Sequence, residues 1–219
     1  MREEILDLEK SIIGEKLKEK DNYWEILGEI KEYIEEFGSR LDQDNYYVLK
    51  EGVFVSKDAI VSDEALIEGP CIIGPFSQIK PYAYIRENVI IGSDCVVGHG
   101  CEIKNSIMFN ESKIAHFNYV GDSILGYRTH LGAGAIISNL RFDKKNIVIK
   151  DKDKKIEISF KKMGVILGDN SEVGCNTVIL PGSYIGKNTW IYPLLRVGGY
   201  IPSGRIVKDK NVIVERVGN

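Results

Sequence analysis

From residue 55 the chain puts an apolar residue at every sixth position: Val55, Val61, Ile67, Ile73, Ile79, Ile85, Ile91, Val97, Ile103, Phe109 and Ala115. Four residues after each anchor runs a column of mostly small side chains, Ala59, Ala65, Cys71, Ser77, Ala83, Val89, Cys95 and Cys101. Glycine often follows the anchor, as at Gly74, Gly92 and Gly98, where a tight corner favours a residue without a Cβ. The rhythm returns after a gap with Leu167, Val173, Ile179, Ile185, Ile191 and Val197, and small partners recur at Ser171, Thr177, Ser183 and Thr189. Such a period is too short for a helical hairpin and too regular for a sandwich. It predicts a mainly β chain, a parallel β-helix with three hexads per coil, in which residues about eighteen apart stack in ladders.

The flanks follow other periods. Ile5, Leu8, Ile12 and Ile13, then Trp24, Leu27, Ile30, Ile34 and Phe37, are spaced for helix faces. The expectation is an N-terminal helical segment over residues 1–50 that caps the prism, with Asp21 or Asn22 as an N-cap and Gly38 as a stop. Residues 51–219 then form the β-helix domain, coiled from about 53 to 206 and closed by a short strand in "NVIVERV". The helices are expected to cover one exposed ladder end. Alternation in "NIVIK" and "KIEISF" around the polar "DKDK" predicts a β-hairpin over 140–163 that projects from the prism. Eight lysines lie between residues 144 and 162, suiting either a solvated arm or contact with a neighbouring subunit or a phosphate-bearing ligand.

Composition narrows the function classes. The 219 residues are 43% hydrophobic and 28% charged with a net charge of −3, which gives no reason to expect nucleic acid or an anionic membrane as partner. There is no apolar run of transmembrane length, and the first thirty residues are too charged for a signal peptide. A cytoplasmic location is the expectation. The four cysteines contain no CxxC pair, and Cys71, Cys95 and Cys101 fall in the small interior column as compact fillers. Cys175 lies off that column.

Candidate chemistry gathers where the rhythm slips. In "KIAHFNYVGD" the spacing reads as Ala115, Val120, Leu125 and Leu131, two short steps that tighten one coil just after His116. On this register His116 shares a corner column with Gly98 below and Gly132 above, leaving its imidazole open to a substrate.

Together "IGPFSQIKPYAYI", "CEIKNS", "KIAHFNYVGD" and "LGAGAIISN" make residues 67 to 200 resemble the acetyltransferase half of the bacterial bifunctional enzymes that acetylate glucosamine 1-phosphate and uridylylate the product. The "WEIL" and "NTWIYP" stretches are also similar to archaeal and clostridial sugar-phosphate transferases. The resemblance implies a left-handed coil, a homotrimer with sites between prisms, acetyl-CoA as cosubstrate and an amino-sugar phosphate as acceptor. His116 matches the family's base; a histidine, ordinarily titrating near neutrality, suits removal of a proton from an ammonium. Tyr119, Lys104 and Asn139 match sugar-phosphate residues, and Lys80 stands where the family has an arginine. Ala133 matches the residue whose N–H polarises the thioester. His130 stands for a sugar-contacting asparagine, Leu140 for a tyrosine, Cys175 for a serine in the coenzyme A site, and Pro193 falls near an alanine used there. No glycine-rich nucleotidyltransferase signature is present, so a nucleotidyltransferase would be a separate partner.

Two rivals are weighed. The three histidines, His99, His116 and His130, could contribute to zinc sites between subunits, but their spacings of seventeen and fourteen do not suit the related carbonic anhydrases, and no metal is expected. The chain could instead be a non-catalytic scaffold or regulatory partner of a sugar nucleotidyltransferase, which the substituted sugar-site positions favour and retention of His116 disfavours.

Overall fold

A computed structural model describes residues 4–151, 154–209 and 212–216. Successive hexads pair in parallel with the hexads of the next coil and build three flat sheets, here called faces I, II and III in the order the chain visits them. Face I runs through Val53–Ser56, Cys71–Ile73, Val89–Ile91, Ser106–Met108, Ile124–Leu125, Val165–Leu167, Ser183–Ile185 and Tyr200–Ile201, with Tyr46–Lys50 added antiparallel at its edge. The expected mainly β solenoid is therefore present. One core fills it, with Val55, Ile67, Ile73, Ile85, Ile103, Leu131, Ile179 and Val197 stacked inside beside Cys71, Cys95 and Cys101.

The register corrects the sequence reading in the middle coils. Met108 pairs with Ile91 and Leu125, and Ile114 pairs with Val97 and Leu131, so these two residues, not Phe109 and Ala115, occupy the interior ladder. The short steps run from Ile103 to Met108 and from Val120 to Leu125, both at the corner between faces III and I. Of the two short steps expected after His116, the one from Val120 to Leu125 is present, whereas the step that contains His116, from Ile114 to Val120, has the ordinary six residues. Phe109 misleads because it is apolar for another reason: it packs outside the prism with the N-terminal segment.

That outer packing also corrects the placement of the helices. The short helices Leu8–Lys10, Gly14–Lys18, Tyr23–Gly28 and Ile30–Gly38 lie along the flank of face I rather than over a ladder end. Ile72, Ile90, Ile107, Ile124, Ile166 and Tyr184 point outward from face I and are buried with Ile13, Ile26, Ile30 and Ile34. Face I is thus apolar on both sides, which explains runs such as "CII", "VII" and "VIL" in place of alternation. Tyr46–Lys50 is a strand, so the helical pattern does not extend to residue 50. Asn22 does precede a helical turn, but its side chain reaches Glu25 instead of capping the backbone.

Register partners Ile137 and Ile179 are 42 residues apart where an ordinary coil takes 18, so 24 residues are inserted. This insertion carries the predicted hairpin, Val148–Asp151 antiparallel to Lys154–Glu157; Lys152 and Asp153 of its turn lie outside the described residues. The hairpin is not a free arm. Ile147, Ile149 and Ile158 are buried in the cluster that covers face I, which contradicts a fully solvated projection. The predicted C-terminal strand is present as Val212–Glu215; Asn211 and Val217 of "NVIVERV" lie outside the described residues.

Asp169 ties the N-terminal segment to the coils. Its buried carboxylate accepts from the Asp7 N–H at 2.6 Å and the Tyr127 N–H at 2.7 Å. Burial nevertheless pushes its pKa up to about 6, above the ordinary Asp value. The folded state therefore holds this proton more tightly than the unfolded chain does. Its stabilising effect is full below the unfolded pKa near ~4 and is lost as pH rises through about 6. In thermal melts, wild type should lose stability relative to Asp169→Asn across that window, and parallel curves would refute the assignment.

Candidate functional site

The corner between faces II and III stacks one residue from each coil. Because His116 pairs with His99, and Gly134 N–H donates to His116 O at 2.9 Å while Asn176 N–H donates to Ala133 O at 2.9 Å, the column reads His99, His116, Ala133, Cys175. Pro193 continues it, since the next residue, Leu194, donates its N–H to Cys175 O at 3.0 Å. The sequence register is corrected here as well: His116 lies between His99 and Ala133, while Gly98 and Gly132 flank Ala115. The imidazole is exposed, but its neighbour one coil down is a second imidazole. His99 in turn sits edge-on between the Tyr82 and Phe117 rings, with centroids 5.4 and 5.3 Å away.

Asn118, unremarked in the sequence, holds this corner in place. It occupies the small interior column of its coil, buried, where Cys101 and Ala135 stand in the coils on either side. Its Oδ1 accepts the His116 N–H at 3.2 Å, and its Nδ2 donates to Gly132 O at 2.8 Å and Ala135 O at 3.1 Å. The backbone of His116 is thereby clamped to the coil that carries Ala133. A polar amide at an interior hexad position was the signal that could have found it, because such a group must be satisfied internally. The Ala133 N–H, partly exposed, donates to no group among the described residues.

The other expected site residues divide between neighbouring surfaces. Tyr119 begins the face III strand Tyr119–Gly121, and Asn139 lies one coil above at the corner between faces III and I, its Nδ2 donating to Tyr119 Oη at 3.3 Å. Burial is the main influence raising the Tyr119 pKa, with Asp122 and Glu102 adding to it, so the phenol stays protonated. Lys104 ends a face III strand and is ion-paired with Glu87 at 3.0 Å. Lys80 is exposed near the His column but two coils below Ala115, about 10 Å along the axis, and its Nζ donates to Gln78 at 2.6 Å. His130 faces solvent from face II between Lys113 and Glu172, away from Tyr119 and Asn139. The corner thus joins His116, Ala133 and Cys175, while Tyr119 and Asn139 form a second polar pair; within one chain His130 belongs to neither. Within one chain, no group of three or more His, Cys, Asp or Glu suited to a metal occurs among the described residues.

Cys175 is exposed on the His116 column, whereas Cys71, Cys95 and Cys101 are buried. Burial pushes the Cys71 and Cys95 thiols up to about 12. A maleimide should therefore modify Cys175 in the native protein and all four cysteines only after denaturation. Mass spectrometry reads the outcome; native labelling at Cys71 or Cys95 would contradict the packing.

The family described as GMPPB C-terminal domain matches residues 67–160. The bifunctional protein GlmU of Methanocaldococcus jannaschii is 38% identical over 115 residues, 52% of this chain and 28% of that protein. A bifunctional sugar-1-phosphate nucleotidylyltransferase/acetyltransferase of Sulfurisphaera tokodaii is 42% identical over 92 residues, 42% of this chain and 23% of that one. The chain therefore matches about a quarter of the length of these relatives. Among solved structures, a putative acetyltransferase of Bacillus cereus is 16% identical with a TM-score of 0.42, over 75% of this chain and 77% of that chain. No helix among the described residues is long and apolar enough to cross a membrane.

Proposed function

We propose that this chain, which belongs to the hexapeptide-repeat acetyltransferases, transfers an acetyl group from acetyl-CoA to the amine of an amino-sugar phosphate. The observation that carries the reading is the stacking of exposed His116 directly beneath Ala133, whose N–H has no partner among the described residues. A base and an oxyanion donor on adjacent coils, about 5 Å apart in backbone height, are the two groups that aminolysis of a thioester requires.

In the proposed step a His116 ring nitrogen takes a proton from the sugar ammonium. The freed lone pair attacks the thioester carbonyl while the Ala133 amide stabilises the developing oxyanion. As the adduct collapses the C–S bond breaks, and the second proton of the attacking nitrogen passes to the sulfur, which leaves as the thiol of coenzyme A. Tyr119 and Asn139 orient the acceptor, Lys104 and Lys80 attract its phosphate, and the exposed column at Cys175 and Pro193 receives the donor. His130 enters the site from a neighbouring prism. The homotrimer this implies is supported by apolar side chains on the same edge: Tyr82, Phe117 and Leu194 are 62%, 61% and 78% exposed.

The test is release of free thiol from acetyl-CoA in the presence of glucosamine 1-phosphate, galactosamine 1-phosphate and their unphosphorylated sugars. Amine-dependent release that is strongest with a phosphorylated sugar is expected; no release with any of them would sink the reading.

A further inference from the structure

The true short steps of the chain explain a feature that the transfer chemistry leaves unused. Shortening the corner between faces III and I places Asn105 and Asp122, both at positive φ (43° and 51°), in one ladder with Asn139. Asp122 is only 6% exposed and makes no ion pair among the described residues. Two amides satisfy it instead. Asn105 Nδ2 donates to Asp122 Oδ1 at 2.9 Å and to Leu27 O at 3.2 Å, and Asn139 Nδ2 donates to Asp122 Oδ2 and to Tyr119 Oη.

This wiring has a direction. Carboxylate oxygens accept hydrogen bonds, Asn139 turns its NH2 toward Asp122, and both amide protons are then used. The remaining atom, Asn139 Oδ1, accepts no hydrogen bond among the described residues. Tyr119 Oη, already accepting from Asn139, keeps its own proton to donate. The side chains Asn139 and Tyr119 therefore offer one acceptor and one donor side by side.

We infer that Asp122 is a positioning residue that fixes the hydrogen-bond polarity of the acceptor site, so that Asn139 Oδ1 accepts from a sugar hydroxyl and Tyr119 O–H donates to a neighbouring sugar oxygen. The inference rests on the amino-sugar reading of the site. Asp122→Asn keeps the shape but leaves one acceptor oxygen for two donating amides. Asn105 keeps it, because its other partner, the Leu27 carbonyl, can only accept. The new NH2 therefore faces Asn139, which turns and can accept from the Tyr119 hydroxyl instead. Its carbonyl is then lost to the ligand.

The experiment is calorimetric binding of glucosamine 1-phosphate to the full chain, which does not require turnover. Asp122→Asn should weaken binding on the order of tenfold, as expected for one misdirected hydrogen bond, while affinity for acetyl-CoA is unchanged. Asn139→Leu should weaken it similarly, and the double variant should bind no worse than Asn139→Leu alone, since Asp122 acts through Asn139. Should Asp122→Asn not fold, hydrogen exchange of wild type decides: slow exchange of both Asn139 side-chain amide protons supports the wiring, and rapid exchange overturns it. Equal binding by wild type and Asp122→Asn, additive losses in the double variant, or no binding by wild type also overturns it. Wild type that binds the sugar but releases no thiol defeats the acetyl-transfer reading and leaves the positioning role standing.

Discussion

His116→Ala is expected to lower amine-dependent thiol release by about 10²- to 10⁴-fold, the usual contribution of a positioned general base. The same change should leave the melting temperature nearly unaltered. The imidazole is exposed, and the hydrogen bonds of this residue among the described residues are made by its backbone: its N–H donates to Asn118 Oδ1 and its carbonyl accepts from Gly134 N–H. Alanine keeps both. Rate and stability therefore separate, which they would not if the ring were a packing element. His99→Ala makes the informative control, because that ring touches Tyr82 and Phe117 and lies two coils away from Ala133, one further than His116. It should cost much less rate. A variant lacking the His116 ring but retaining wild-type turnover would remove the base from the proposed chemistry.

Gly98→Ala should produce the largest loss of stability. A Cβ at this position would lie 1.6 Å from the Ala115 carbonyl oxygen and 2.3 Å from its carbon, atoms of the next coil's backbone. No rotamer change relieves a clash between backbones, so the two coils must part locally and break ladder hydrogen bonds. A cost of about 3 kcal/mol or more follows from the upper range for overpacked interiors. Gly204→Ala provides the contrast: nothing lies within 4 Å of its Cβ position, and only its φ of +67° opposes the change, a penalty of about 1 kcal/mol. Urea denaturation of the two variants should rank them in that order. Because Ala115 precedes His116, the Gly98 variant should also lose activity at temperatures where it remains folded.

The interior hexads show how far a repeat can be followed by eye. Nine anchors from Val55 to Ile103 are read in the right register because each interior position admits only apolar or small residues. The reading then slips by one at Phe109 and Ala115, since an apolar residue outside the prism looks the same as one inside. The N-terminal segment lies over face I and makes its outer surface apolar too. The same slip moved His116 from the side of His99 to that of Gly98. Asn118 and Asp122 were passed over, although both are buried polar groups whose amide or carboxylate contacts organise the candidate site. Cys175 looked unattached in the linear register; the 24-residue insertion concealed its place directly above Ala133.

What the amino-acid order by itself determined was the parallel coil, its interior ladders, the inserted hairpin and the presence of a candidate base. Each follows from local periodicity, which sets which side of the backbone must be dry. Only the tertiary structure decided which residues share a column, what covers face I and which atom of Asn139 is left without a hydrogen bond among the described residues. Those depend on where the coils shorten and which distant segment packs against them, and no single hexad carries that information.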